Sequence, residues 1–186
     1  MPAADEQQLI RQARDGDHEA FRVLVERYMK RTYNVAYGFV RNHDDADEIA
    51  QDTFVRAHRS LSSFRGDAEL GTWLYRIATN LSLNCLNQRK RRAQRELIPS
   101  EVIGTTMENI SELHHSVDTR AHIERALHEL PTLQRAVVIL RHLDGLSTKQ
   151  VSGILRCSEG TVKTHLHRGL KKMRKILYYM REGEEG

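Results

Sequence analysis

Apolar residues recur at helical spacing along almost the whole chain, and long alternating runs suited to strands are absent. Leu9, Ile10 and Ala13 predict a first helix that stops at the turn Asp15-Gly16-Asp17. Asp17 suits the N-cap of a second helix, with Phe21, Leu24, Val25 and Tyr28 on one face. Val35, Ala36, Phe39 and Val40 carry that face to a polar break at Arg41-Asn42-His43-Asp44. A third helix is expected from about Asp45 to Ser60 around Ile49, Phe54 and Val55. After the short loop Phe64-Arg65-Gly66-Asp67-Ala68-Glu69, a fourth from about Leu70 to Arg92 buries Leu70, Trp73, Leu74, Ile77 and Leu81. Trp73 shares its spacing with Leu74 and Ile77, which places it in the core rather than on a stacking surface.

From about Ala93 to Asp118 the period weakens, and Pro99, Ser100, Gly104, Thr105 and Thr106 mark a linker. Stretched at ~3.3 Å per residue it spans roughly 80 Å, enough to join bodies seated far apart on a long ligand. A second helical block runs from near Thr119 to Met180. The expected fold is therefore all-α, with two small helical domains, 1–94 and 119–181, a flexible linker, 95–118, and a tail, 182–186.

Within the second block, Ser147-Thr148-Lys149-Gln150 reads as a capping box opening a short helix with Val151, Ile154 and Leu155 inward. The turn Arg156-Cys157-Ser158-Glu159-Gly160 leads to a longer helix, N-capped by Ser158. There Val162, Leu166, Leu170, Met173 and Ile176 face the core, so Lys163, Thr164, His167, Arg168 and Lys171 point outward. Short helix, tight turn and basic-faced helix form a helix-turn-helix of the kind that enters the major groove of B-DNA. Arg168 or Lys163 suits a guanine edge, and Thr164 or His167 a neighbouring base. His165, Lys171 and Lys172 suit phosphate, with Ser158 and Thr161 at the helix start completing the DNA-facing surface.

Charge sharpens this picture through its distribution rather than its sum, since the net charge is only +4 over 186 residues. Acidic residues crowd Asp44, Asp45, Asp47, Glu48 and Asp52, whereas basic ones crowd Arg89-Lys90-Arg91-Arg92 and the stretch from Lys163 to Lys175. Two surfaces with different partners are implied. Cys85 and Cys157 are too far apart in sequence for a zinc motif or a disulfide framework, and no signal-like or membrane-spanning run is legible. A cytoplasmic protein is expected. Ten histidines raise the possibility of a metal site at His114, His115 and His122. However, no His-x-x-x-His pair comes with a carboxylate, no Ser-His-Asp or Cys-His arrangement is legible, and no P-loop occurs. The expectation is no enzyme, no cofactor, no metal and no small-molecule substrate.

Residues 160–172, Gly-Thr-Val-Lys-Thr-His-Leu-His-Arg-Gly-Leu-Lys-Lys, resemble the promoter-reading helix of the sigma-70 family, above all of its extracytoplasmic-function (ECF) group. Leu130-Pro131-Thr132-Leu133-Gln134-Arg135-Ala136-Val137 and Leu143-Asp144-Gly145-Leu146-Ser147 resemble the opening of the same fourth region. Two departures stand out: Gln150-Val151-Ser152 where the family commonly has Glu-Ile-Ala, and Arg168-Gly169-Leu170 where it commonly has Arg-Ala-Arg. LuxR-type regulators share the Thr-Val-Lys-x-His string, which leaves a regulator acting without polymerase as the alternative on this half alone.

The first half favours the sigma reading, because Asp45 to Ala57 is similar to the family's second region. That resemblance implies docking on core RNA polymerase through Asp47, Glu48, Gln51, Asp52 and Val55. Phe64 to Glu69 with Thr72 to Asn80 resembles the −10 element reader. It implies Phe64, Arg65, Gly66, Asp67, Ala68, Arg76 and Asn80 as contacts to unpaired bases, with Arg89, Lys90, Arg91 and Arg92 following the DNA backbone. With Leu70, Trp73, Leu74, Ile77 and Leu81 inward, Thr72, Thr79 and Asn87 are expected on the same polar stripe as Arg76 and Asn80. The resemblance further implies core polymerase and promoter DNA as partners, with an anti-sigma factor that masks these surfaces and can hold the chain at the inner membrane face. It also implies that the acidic linker, with Glu96, Glu101, Glu108, Glu112 and Asp118, threads toward the RNA channel.

Overall fold

A computed structural model describes residues 3–64, 66, 68–95, 116–143 and 145–182. Among these residues the regular structure is helical: α1 (Ala3–Arg14), α2 (His18–Val40), α3 (His43–Ser60), α4 (Leu70–Arg95), α5 (Ser116–His128), α6 (Thr132–Val138), α7 (Thr148–Leu155) and α8 (Glu159–Glu182). A 3₁₀ turn, Leu61–Ser63, ends α3, and a π turn, Ile139–Leu143, continues α6. The expected linker lies mostly outside the described residues, as do Arg65, Asp67, His114 and His115.

Local chemistry sets the boundaries. Asp17 caps α2 by accepting from the amides of Glu19 (2.8 Å) and Ala20 (3.1 Å), and Gly16 turns the chain at φ +96° between α1 and α2. Asn42 caps α3 through the amide of Asp45, so the helix starts at His43, before the expected polar break has ended. Ser147 and Gln150 form the full capping box of α7, and Ser158 Oγ accepts from the Thr161 amide (3.0 Å) to open α8.

Helices α1–α4 enclose one core. Leu24, Phe54, Ala57, Leu61, Phe64, Leu70 and Leu74 are buried there, with Trp73 packed beside Phe64 at a ring separation of 5.0 Å. The α1 helix is tied down by ion pairing of Asp5 to Arg27 (2.9 Å) and by the Tyr28 hydroxyl donating to Glu6 (2.6 Å). A second core joins this half to the other. Val35, Ala36, Phe39, Val40, Tyr75 and Ala78 pack in one cluster with Ala126, Leu130, Val137, Ile139, Leu140, Val151 and Val162.

The centre of this joint is α6 and its π turn, where Ala136, Val137, Val138, Ile139 and Leu140 are all buried in succession. A helix apolar on every side must be covered on every side. The α8 helix covers one flank, where Val138 meets Gly169, and α2 covers another, where Ile139 meets Gly38. The i→i+5 pattern of the π turn lets consecutive residues serve both neighbours.

Arg135 closes the joint. It is 9% exposed, and its guanidinium donates to the carbonyls of Phe39 (3.2 Å), His128 (2.9 Å) and Leu130 (3.2 Å). The last turn of α2 has no basic residue of its own. Its terminal carbonyls instead receive arginines from outside the helix: Arg135 at Phe39 and Arg89 at Val40 (3.4 Å). Burial depresses the Arg135 pKa, with repulsion from Arg41 adding to the effect. Beside it the His128 imidazole falls to about 4, first through burial and then through Arg135 and Arg41.

Candidate nucleic-acid and polymerase interfaces

On α8 the inward positions are Val162, Gly169 and Met173, with Leu166, Leu170 and Ile176 half-buried around them. This leaves Lys163, Thr164, His167, Arg168, Lys171 and Lys172 exposed along one side. Ser158 is exposed and Thr161 half-buried, and their hydroxyls are engaged with each other (2.9 Å) in the cap. Thr164 Oγ1 donates to the Gly160 carbonyl (2.9 Å), and Lys172 Nζ donates to the Glu129 carbonyl. His165 departs from the expectation: it is half-buried, and its Nδ1 is enclosed without a hydrogen-bond partner among the described residues. The helix turns it toward the protein, because three residues on from the buried Val162 lies close to the inward face.

On α4 the expected polar stripe divides. Arg76 and Asn80 are exposed, as are Arg89, Lys90, Arg91 and Arg92 farther along. Thr72 and Thr79 are buried, a correction to the sequence expectation, and Thr72 is covered by Gln150 of α7, which donates to its hydroxyl (3.1 Å). Phe64 is corrected as well: its ring is 8% exposed and lies in the first core against Trp73. Gly66, at φ +78°, and Ala68 are exposed in the adjoining loop, while Arg65 and Asp67 lie outside the described residues. Arg89 is already paired, to the Asp45 carboxylate as well as the Val40 carbonyl.

On α3, Asp47, Glu48, Gln51 and Asp52 are exposed together, and Val55 is 46% exposed although apolar. Phe21, Phe54, Val55, His58 and Arg59 line a shallow apolar groove of about 290 Å³ next to this acidic face. An acidic stripe with an apolar anchor at its end suits a basic protein surface better than a polyanion.

Among the described residues no group of three His, Cys, Asp or Glu side chains could hold a metal, and no helix is long and apolar enough to cross a membrane. Arg135 and the π turn were missed in sequence. The run of five apolar residues directly after Arg135 was the available signal, because a cation abutting a fully covered helix must find carbonyl partners.

Two helical modules, one a helix-turn-helix with a basic outer face, define a class of DNA-reading transcription protein. Comparison with known proteins narrows it. Residues 24–93 match the family model Sigma-70 region 2, and residues 120–173 match Sigma-70, region 4. The ECF RNA polymerase sigma factor SigW of Bacillus subtilis is 32% identical over 90% of this chain and 94% of its own. The structure of CnrH in complex with the cytosolic domain of CnrY superposes with a TM-score of 0.71 at 27% identity, covering 94% of this chain and 98% of that one. The sigma factor RpoE of Bartonella quintana, solved with the anti-sigma factor NepR, gives a TM-score of 0.68 at 24% identity over 85% of this chain and 96% of that one. The chain belongs to the ECF group of sigma-70 RNA polymerase sigma factors. The LuxR-like alternative is set aside, because the region 2 match has no place in a regulator that works without polymerase.

Proposed function

We propose the following division of labour within this sigma factor. The outer face of α8, with Lys163, Thr164, His167 and Arg168 at its centre and Lys171 and Lys172 behind them, reads the −35 duplex. Exposure of these cations on a helix whose opposite side packs inward through Val162, Gly169 and Met173 carries that assignment. Ser158 and Thr161 hold the start of that helix in shape.

The exposed side of α4, from Gly66 and Ala68 through Arg76 and Asn80, takes the unpaired bases of the −10 element. Lys90, Arg91 and Arg92, joined by Arg89 once it leaves Asp45, neutralise the adjoining phosphates. Extracting a base costs a few kcal/mol, offset by contacts to the extruded base and to the backbone, so no nucleotide hydrolysis is needed. The α3 stripe Asp47, Glu48, Gln51 and Asp52, with Val55, docks the chain on core polymerase.

The Bartonella quintana neighbour was solved with an anti-sigma factor, and an anti-sigma factor that masks these faces in the cytoplasm is part of the same reading. Runoff transcription with core polymerase, with and without this chain, on a genomic promoter library tests the reading. Discrete promoters should fire only when the chain is present. Failure of the chain to associate with core polymerase would sink the proposal.

A further inference from the structure

The α7 helix packs inward through Val151 and Ile154, which are buried, and turns Gln150 toward Glu69 and Thr72. Its opposite side carries Lys149, Ser152, Gly153 and Arg156. Spacing of i, i+3, i+4 and i+7 sets these four in one stripe, about 10 Å long at ~1.5 Å per residue. Lys149, Gly153 and Arg156 are exposed, and Ser152 is half-buried. No carboxylate occurs in the chain between Asp144 and Glu159.

Two members of this stripe run against the local chemistry of a helix. Gly153 lies inside α7, where glycine disfavours the helix more than any residue except proline. At Gly38 and Gly169 a neighbour explains the missing side chain, since a Cβ there would lie 2.9 Å from Ile139 or Val138. At Gly153 a Cβ would meet nothing within 4 Å. The gap serves no packing contact among the described residues, and what it permits is a close approach from outside. Arg156 departs in the other direction. Its backbone is left-handed, φ 50° and ψ 47°, and its amide and that of Cys157 (3.2 Å) both donate to the Ser152 carbonyl. Helix ends of this form favour glycine, because a Cβ is strained there. The guanidinium that accompanies the strain has no hydrogen-bond or ion-pair partner among the described residues.

We propose that this side of α7 is a phosphate saddle: one sugar-phosphate strand of the duplex crosses the helix at Gly153, with Lys149 and Arg156 gripping it from either side. This rests on the assignment of α8 to duplex reading made above. With α8 in the major groove, the helix before it lies over the groove wall, where the strand runs. The bare backbone at Gly153 lets the strand come close, the Ser152 hydroxyl donates to a phosphate oxygen, and the two cations neutralise the phosphates beside it. The saddle touches no base edge. It therefore adds affinity for duplex of any sequence, while the cations of α8 supply the preference among sequences. Folding stability is given up at both unusual positions in exchange.

The test uses the full chain in complex with core polymerase and two fluorescent duplexes. One carries the −35 element of a promoter found by runoff transcription, and the other carries the same bases scrambled. Arg156→Gly should weaken both by the same factor, roughly five- to tenfold at low salt. It should also reduce the slope of log affinity against log salt by about one. Gly153→Gln should weaken both duplexes and reduce that slope as well, although it removes no charge, because it lifts the strand away from both cations. In the free chain each variant should nevertheless melt above the parent, Arg156→Gly by about 2–4 °C. Weaker binding by a more stable protein separates a lost contact from a damaged fold. Arg156→Asn, which also accepts the left-handed backbone, replaces the glycine variant if that one is misfolded.

Parental affinity and salt slope in either folded variant overturns the saddle. So does a loss confined to the −35 duplex, which would make Arg156 a base reader. Weakened association with core polymerase while duplex binding stays parental overturns it too, and makes the stripe a protein contact. Combined Lys163→Ala and Arg168→Ala, measured on the same pair of duplexes, should narrow the preference for the −35 element. Unchanged preference there, with both α7 variants weakened, places the fault in the assignment of α8; the reverse pattern places it in the saddle.

Discussion

Arg135 on α6 and Phe39 on α2 face each other across the two halves, with the guanidinium donating to the Phe39 carbonyl at 3.2 Å. The same side chain also serves His128 and Leu130, so one buried cation gathers carbonyls from α2, from the end of α5 and from the turn before α6. Arg135→Met preserves bulk but strands those carbonyls, at about 1–3 kcal/mol for a buried group left unsatisfied. Urea denaturation should show a loss of about 3 kcal/mol. Arg135→Lys should recover only part of it, because an ammonium lacks the fork that spans separated acceptors. Equal stability of Lys and Arg variants would mean that charge alone matters there.

Gly169 tests how α8 is seated. An ideal Cβ at this position lies 2.9 Å from Val138 Cγ2 and 3.5 Å from the Gln134 backbone oxygen. Val138 is branched and 3% exposed, so it has little room to yield. Alanine improves helix propensity by about 1 kcal/mol, yet overpacking costs about 1–3 kcal/mol. Gly169→Ala should therefore be destabilising, by about 1 kcal/mol in thermal or urea unfolding. Adding Val138→Ala should make the second change less damaging than in the parent, the sign of direct coupling in a double-mutant cycle.

These two sites mark where the sequence was legible and where it was not. Asp17, Ser147, Gln150 and Ser158 announce helix starts by chemistry that acts within four residues, and each takes that role in the structure. The outward cations of α8 follow from the inward spacing of Val162 and Met173 in the same local way. Burial of Thr72, and the roles of Gly38 and Arg135, depend on a surface contributed by residues far away in sequence. Helical period cannot show which side of α4 will be covered when a second domain arrives. Only the all-apolar run Ala136–Leu140 hinted that α6 needed covering on a further flank.

His128 makes the joint sensitive to acid. Its Nε2 is enclosed without a hydrogen-bond partner among the described residues, and its pKa is lowered from the ordinary 6.5 to about 4. Arg135 of α6 and Arg41 at the end of α2 face it as the charged neighbours. Unfolded or opened chains bind a proton there more readily than the packed form. Stability from neutral His128 is therefore complete above pH 6.5, declines as pH falls below that value, and is gone below about pH 4. Thermal unfolding should show the melting temperature dropping between pH 7 and pH 5, and the drop should be smaller in His128→Gln. An identical drop in both proteins would place the acid sensitivity elsewhere.

Arg168 and Asn80 offer separate tests of the two proposed reading faces. Arg168 is exposed on α8 beside Lys171 and Lys172, whereas Asn80 is exposed on α4 next to Arg76. If Arg168 meets a guanine edge with both ends of its fork, Arg168→Ala should cost about 1–3 kcal/mol in −35 duplex binding. The loss should be greater on the selected promoter than on one with that base changed. Asn80→Ala should leave duplex binding as it was and reduce permanganate reactivity of the −10 thymines in the polymerase complex, because its effect falls after strand separation begins. The two defects arise at successive steps and should combine without coupling. If Asn80→Ala complexes show parental permanganate reactivity, and exchange of Gly66 and Ala68 is tolerated too, capture of unpaired bases must lie on another part of α4.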